Sequence, residues 1–364
     1  MGTRARAKTN RGGDMKIGTL FSGIGAPEQG AKRVYSDDLE LVFACEYDKF
    51  ARQSFNTNYE IRPEHFHNDV REMDGTQYQG KVDVLIGGSP CQAFSIAGLR
   101  NGTDDERGQL IYQYIRIVDE VKAPIIVYEN VKGMLSIDNG NTIKEFVQAL
   151  RDIGYFCHYE VVNTKDYGVP QNRERIFLVG FLNHEMYHRF QFAPKQKLEK
   201  RLKDVLESEV DEKYYLSDSV IAQFIEKTER AKREGNGFAF KPTNGDVCAY
   251  SITTKAGGRV DDNFIDVIGL LDCKGTDQIR RGRAGKQVAQ TLDTQCNQAV
   301  VQHRIRKLTP RECLRLQDFP DSFIQVVSDS QQYKQAGNSM SVNVLEMIFR
   351  QIEKAKQKDE GRLF

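Results

Sequence analysis

The residues best placed to do chemistry begin with Ser89-Pro90-Cys91-Gln92, which directly follows the apolar run Val82-Asp83-Val84-Leu85-Ile86-Gly87-Gly88. A cysteine is usually small core filler. Here a strand ends in two glycines that let the chain turn sharply, and a proline stiffens the backbone before the thiol. Open α/β sheets bind ligands beyond the carboxyl ends of their strands, so Cys91 is a candidate nucleophile. The next apolar run, Ile125-Ile126-Val127, ends in Tyr128-Glu129-Asn130-Val131. Alone, Glu129 reads as a solvated strand terminus. Beside a thiolate one strand away, it suits addition to an electron-poor ring followed by protonation of a ring nitrogen. A third group, Gln171-Asn172-Arg173-Glu174-Arg175, puts two guanidinium groups two residues apart. In extended backbone both project from one face, as a pair for carbonyl or phosphate oxygens or as a salt-bridge lattice with Glu174.

The elements that must position these groups follow an alternating β/α pattern, which predicts a mostly parallel sheet covered on both faces. Strands are expected over 15–21, 39–45, 82–86, 125–128, 155–162 and 175–181. Helices are expected over about 108–121, with Leu110, Ile111, Tyr114, Ile117 and Val118 on one face, and about 141–153. Between the first strand and its helix lies Phe21-Ser22-Gly23-Ile24-Gly25-Ala26-Pro27, and Glu46 ends the second strand. A glycine turn followed by an acidic residue about twenty positions on is the arrangement that holds a nucleoside. No Gly-Lys-Ser/Thr follows and the third fingerprint glycine is missing, so adenosine attached to something other than phosphate fits best. Asp69, in His67-Asn68-Asp69-Val70, sits at another strand end, either to bind an adenine amine or to cap a turn.

Composition bounds the partners without naming them. A 364-residue chain that is 39% hydrophobic can bury a large core. Lys plus Arg total 52 against 51 Asp plus Glu, so a nucleic-acid surface must come from local clustering. Seven cysteines without paired spacing, and no signal-like or membrane-spanning stretch, predict a reducing cytoplasmic setting and no membrane partner. No CxxC is present, hence no evident zinc site. Residues 1–14, with Arg4, Arg6, Lys8 and Arg11, read as a flexible basic tail, and Met15 could itself be a start.

In order along the chain, Phe21-Ser22-Gly23-Ile24-Gly25, Glu46, Asp69, Gly88-Ser89-Pro90-Cys91-Gln92, Glu129-Asn130-Val131 and Gln171-Asn172-Arg173-Glu174-Arg175 are followed by Leu308-Thr309-Pro310-Arg311-Glu312-Cys313 through Phe319-Pro320 and Gln335-Ala336-Gly337-Asn338-Ser339-Met340. The chain resembles the DNA (cytosine-5)-methyltransferases of bacteria and phages. The motifs cover nearly everything except the tail and about 184–305. The resemblance implies a Rossmann-like class I methyltransferase fold with a smaller, irregular or β-rich target-recognition domain. It divides the chain into a catalytic cofactor-binding part (15–183), a target-recognition part (184–305) and a C-terminal part (306–364) that completes the catalytic domain. Val342, Leu345, Ile348 and Phe349 would dock the last helix.

The resemblance also implies roles. Cys91 would attack cytosine C6, and Glu129, protonated through a raised pKa, would serve N3 and the exocyclic amine. Arg175 would contact O2, and Arg173 would orient its neighbours. S-adenosylmethionine would be the methyl donor, with Phe21, Gly23 and Ile24 around its methionine and adenosine portions, Glu46 on the ribose and Asp69 on the adenine amine. Tyr47 and Val70 would flank the adenine, and Pro90, Leu110, Asn338 and Ser339 would complete the pocket. Tyr47 departs from the family's frequent tryptophan. No metal is required. Duplex DNA is the implied partner, with the target base flipped out. A loop carrying Gln92, Ser95, Arg100 and Arg107 would close over it, Ser95 at the target phosphate.

The basic run Arg280, Arg281, Arg283 and Lys286, followed by Thr291-Leu292, offers further DNA contacts or a solvated face. Lys195 to Lys203 reads as an exposed helix. A monomer is expected, and a cognate restriction endonuclease, if there is one, acts in concert with the chain rather than in complex. A tRNA-methylating relative is the main alternative, against which stand Gln92 and the long insertion. A nucleotide-dependent oxidoreductase would leave Cys91 and Glu129 without roles, and intact Cys91, Glu129 and Arg175 speak against a non-catalytic DNA-binding module.

Overall fold

The computed structural model describes residues 15–90, 109–237, 239–272 and 299–357. Its order is β1 (Met15–Leu20), α1 (Ala26–Tyr35), β2 (Leu39–Cys45), α2 (Lys49–Asn58), β3 (Phe66–His67), β4 (Val84–Gly87), α3 (Gln109–Val121), β5 (Ile125–Val131), α4 (Asn141–Asp152), β6 (Phe156–Asn163), β7 (Gln171–Asn172) and β8 (Glu174–Phe181). There follow α5 (His184–Arg189), α6 (Asp218–Arg233), β9 (Ala249–Tyr250), β10 (Phe264–Asp272), β11 (Ala299–Lys307), α7 (Pro310–Leu316), α8 (Asp329–Asn338) and α9 (Val342–Lys356).

Seven strands form one sheet in the order β3-β2-β1-β4-β5-β8-β6. All neighbours are parallel except β8, which runs antiparallel to both β5 and β6. The mostly parallel sheet expected from the alternating pattern is what forms, each strand within about two or three residues of its sequence bounds. β4 and the first four residues of β5 are wholly buried, as strands covered on both faces must be. Strand order reverses between β1 and β4, and the crevice beyond their carboxyl ends is where such sheets bind ligands.

One face is covered by α3 and α4, whose Ile111, Tyr114, Ile117, Val118, Phe146 and Leu150 share a core with Leu85 and Ile126. α1 and α9 cover the other. Here Val342, Leu345, Ile348 and Phe349 are buried, and a Cβ on Gly30 would lie 2.8 Å from that of Leu345. Arg33 of α1 also pairs with Glu346 at 3.2 Å and with Asp318. The chain's last helix thus returns to pack on its first.

The described part of 184–305 shares a core with the rest of the chain and adds a small aromatic cluster of Phe224, Phe240 and Phe264. Leu202, Val205, Tyr214, Ala249, Ile252 and Ile265 join the same apolar cluster as Leu308, Cys313, Phe319 and Tyr333. β10 and β11 form an antiparallel pair that runs to Lys307, through the expected boundary at 305. At its end Thr309 and Glu312 make a capping box that opens α7, and Glu312 forms a fully buried ion pair with Arg306 at 2.8 Å.

The helix expected over 195–203 is absent. Gln196 donates its backbone N–H to Asp166 O at 2.8 Å, Leu202 to Val247 O and Lys203 to Gly245 O, so the donors are committed to neighbouring segments. Only a 3₁₀ turn, Leu202–Val205, forms. Leu198 and Leu202 are a single apolar pair, too little to hold a helix against that competition. Among the described residues no helix is long and apolar enough to cross a membrane.

Candidate active site

The turn after β1 is held in shape by its own backbone. Phe21 takes φ 54°, Gly23 φ 59° and Gly25 φ 88°, and Gly25 caps α1 in the left-handed region that glycine occupies without strain. Ser22 donates its N–H to Cys45 O at 3.0 Å and accepts the Cys45 N–H on Oγ at 3.1 Å, locking the turn to the end of β2. Glu46 then accepts the Gly23 N–H at 2.8 Å and the Asp48 N–H at 2.7 Å. Burial pushes the Glu46 carboxyl up, while those two N–H groups oppose it.

At the end of β4, Gly88 is required by crowding. A Cβ there would meet Met340 Cε at 2.8 Å and Glu129 O at 2.9 Å. Ser89 Oγ lies 2.7 Å from the Tyr128 hydroxyl, and Asn130 Nδ2 donates to that hydroxyl at 2.8 Å and to Ser89 O at 3.2 Å. This buried network fixes the backbone as it enters exposed Pro90.

Glu129 and Arg175 meet through strand register. Arg175 on β8 stands opposite Val131 on β5, so Glu129, two residues back, lies diagonally across on the same face. The Arg175 Nε is 3.2 Å from Glu129 Oε1. Burial raises the Glu129 pKa, and Arg175 and then Arg173 pull the other way.

Arg173 is only 2% exposed. It donates to Ser339 O at 2.8 Å, Gly337 O at 3.2 Å and Ile252 O at 3.5 Å, tying the end of α8 to the segment just after β9. Burial, then Arg175, lowers its pKa to about 9, against the pull of Glu129. Gln171 is a second rivet in the same stretch, donating to Leu316 O at 2.5 Å and accepting from Ile252 N at 2.9 Å.

One cavity of about 600 Å³ gathers the functional side chains among them. Its walls include Phe21, Gly23, Ile24, Glu46, Tyr47, Asp69, Val70, Pro90, Leu110, Glu129, Arg173, Arg175, Asn338 and Ser339. Asp69 is turned to Arg71, with Arg71 Nε at 3.0 Å from both carboxylate oxygens and the Arg71 N–H at 2.9 Å. Tyr47 is 73% exposed, with the Arg71 guanidinium 5.8 Å from its ring centre. Cys91, Gln92, Ser95, Arg100 and Arg107, and Arg280, Arg281, Arg283, Lys286 and Thr291, lie outside the described residues.

Sequence reasoning missed Asp48, Arg71, Lys334 and Gln335, which also line the cavity. Lys334 of α8 pairs at 2.6 Å with Asp48, the residue that caps α2, and Gln335 accepts from Ser54 Oγ at 3.1 Å and donates to Phe50 O at 2.9 Å. Asp48 was legible as a cap two residues before an apolar pattern. Nothing in the sequence brought Lys334 to it.

The cavity suits a nucleoside. A Cβ on Gly23 would meet nothing closer than 4.0 Å, so the turn opens a backbone cradle. Each Glu46 oxygen accepts one N–H and retains a lone pair for a ribose hydroxyl.

The sheet order with one reversed strand next to the last position, and the crevice so lined, define a Rossmann-like class I methyltransferase. Residues 15–354 match the family described as C-5 cytosine-specific DNA methylase, and the chain belongs to it. Among curated relatives, the type II methyltransferase M.NlaX of Neisseria lactamica is 35% identical, over 93% of this chain and 96% of its own. The orphan methyltransferase M.SPRI of Bacillus phage SPR is 30% identical, over 93% and 98%. The solved Entamoeba histolytica methyltransferase EhMeth shares the fold, with a TM-score of 0.66 at 17% identity over 95% of this chain and 99% of its own.

Proposed function

We propose that the chain transfers a methyl group from S-adenosylmethionine to C5 of a cytosine in a specific duplex DNA sequence, with the base flipped into the cavity and held through a bond between Cys91 Sγ and C6. Carrying this reading is the pairing of a half-buried, protonation-prone Glu129 with Arg175 at 3.2 Å, in the cavity that the glycine turn and Glu46 also line.

The chemistry assigns each group a task. Cytosine C5 is a poor nucleophile until the Cys91 thiolate adds to C6. As charge moves onto N3, Glu129 delivers or shares a proton there, and Arg175 steadies O2. The glycine turn, Glu46 and Asp69 would hold S-adenosylmethionine, which when bound would supply an electrophilic methyl group. Loss of the C5 proton and departure of the thiolate then restore the ring. Arg173 acts as a positioning residue, holding the Gly337 to Ser339 wall against β8.

Residues 184–305 serve target recognition, with Arg280, Arg281, Arg283 and Thr291 at the DNA. Gln92, Ser95, Arg100 and Arg107 form the loop over the flipped base. The chain acts as a monomer in the cytoplasm. The relatives' names include both type II and orphan phage enzymes, so a cognate endonuclease is compatible with this site and not required by it.

The test is transfer of tritiated methyl groups to duplex DNA and to tRNA in parallel. Label at cytosine C5 of DNA is expected, and label confined to tRNA overturns the substrate assignment.

A further inference from the structure

On the far side of β8 from the cavity, α5 carries His184-Glu185-Met186-Tyr187-His188. Two imidazoles four residues apart share one helical face, the spacing with which a helix grips a metal ion. Their Nε2 atoms are 3.1 Å apart, and both residues are exposed. At that distance one nitrogen must donate its N–H to the other, since two facing lone pairs would repel. A zinc-sized ion bound at about 2.0–2.1 Å to each nitrogen at a tetrahedral angle needs them about 3.3 Å apart, so the rings already stand within a few tenths of an ångström of a chelating bite.

The rings are also held in place. His184 packs edge-on against Phe156 with centroids 4.7 Å apart, and His188 packs edge-on against Tyr187 at 5.2 Å. Fixed ligands lose little freedom when an ion arrives.

We propose that His184 and His188 form a two-imidazole chelate for a divalent first-row transition ion, with water completing its coordination. On binding, the ring that carries its proton on Nε2 moves it to Nδ1, and both Nε2 lone pairs go to the metal. No net proton is lost between two neutral rings. Glu185 is committed to Arg189 at 3.6 Å, and among the described residues no third His, Cys, Asp or Glu joins the pair. The site therefore takes borderline ions that favour imidazole, Cu²⁺ above Ni²⁺ and Zn²⁺. None of the cavity-lining residues belongs to α5, so the site is independent of methyl transfer.

Calorimetric titration of the untagged full chain with nickel chloride, its thiols kept reduced, tests this. One saturable equivalent is expected. H184Q and H188Q, checked for native circular dichroism, should each weaken it by about tenfold or more, since a chelate reduced to one imidazole loses half its protein ligands. E185Q should bind as the parent does. The proposal is overturned if the parent shows no saturable nickel binding, if both histidine variants bind as tightly as the parent, or if E185Q weakens binding as much as they do.

Discussion

Glu129 is a half-buried carboxyl group and Glu28 a fully buried one, and their surroundings differ. Glu129 faces the cavity beside Arg175, and under the proposed function it shares a proton with a bound base. Replacing it with alanine should cut methyl transfer about 10²-fold or more, the usual scale for a general acid, while cofactor affinity stays within about threefold. Single-turnover kinetics beside cofactor titration separates the two, and an equal loss in both would make Glu129 structural.

Glu28, in the first turn of α1, makes no ion pair among the described residues. It accepts from Thr19 Oγ1 at 2.6 Å on one oxygen, and the other has no partner among the described residues. Burial raises its pKa to about 7 from an ordinary 4.5, with the Thr19 bond opposing. The folded-state value lies above the unfolded one, so its contribution to stability is complete below about pH 4.5 and is lost as pH rises through about 7. At about 1.4 kcal/mol per pH unit the loss approaches about 3 kcal/mol. Urea unfolding of E28Q should therefore show it gaining on the parent between about pH 5 and about pH 8 by up to that amount. A constant offset across that range would mean that Glu28 ionises as an ordinary exposed carboxyl does.

At the scale of elements, two latches bind the C-terminal segment to the sheet. A Cβ on Gly337 would lie 2.6 Å from both Thr253 C and Thr254 N, backbone that cannot step aside. G337A should destabilise the fold by about 1–3 kcal/mol, as overpacking does. R173K keeps the charge but cannot span Gly337 O, Ser339 O and Ile252 O together, and should cost about 2–3 kcal/mol through carbonyls left unpaired. Denaturant midpoints measure both, and parent-like values would show that α8 is held by apolar contacts alone.

These latches also mark where sequence reading stops. The strands over 39–45, 82–86 and 125–128 were legible as short apolar runs ending at glycine or an acidic residue, and the helices because α3 and α9 repeat apolar positions every three or four residues. Glu46, Glu129 and Arg175 were legible as strand-end residues. Lys334 was not, because only chain reversal through α8 brings it to Asp48. The two-residue spacing of Arg173 and Arg175 suggested a matched pair. Instead Arg173 precedes β8 and is buried against α8, whereas Arg175 lies within the strand beside Glu129. The expected helix at 195–203 failed for the same reason: its backbone partners, Asp166, Gly245 and Val247, are distant in sequence.

For the molecule as a whole, the first and last helices form one packed unit, because α9 buries the face of α1 that Gly30 leaves open. A chain ending at residue 305 should aggregate, having exposed an apolar helix face and lost Arg33's partners Asp318 and Glu346. Co-expression with 306–364 should restore solubility, and a soluble, cooperatively folded 15–305 fragment would contradict this.

The proposed reaction turns on a bond between Cys91 Sγ and C6 of a flipped cytosine. Duplex DNA carrying 5-fluorocytosine at the target position tests it most directly, since fluorine cannot leave C5 as a proton does. With S-adenosylmethionine present, a denaturation-resistant protein–DNA adduct should form whose peptide maps to Cys91 and which is absent from C91A. Methylation of ordinary DNA without such an adduct, or an adduct mapped to another residue, would contradict it.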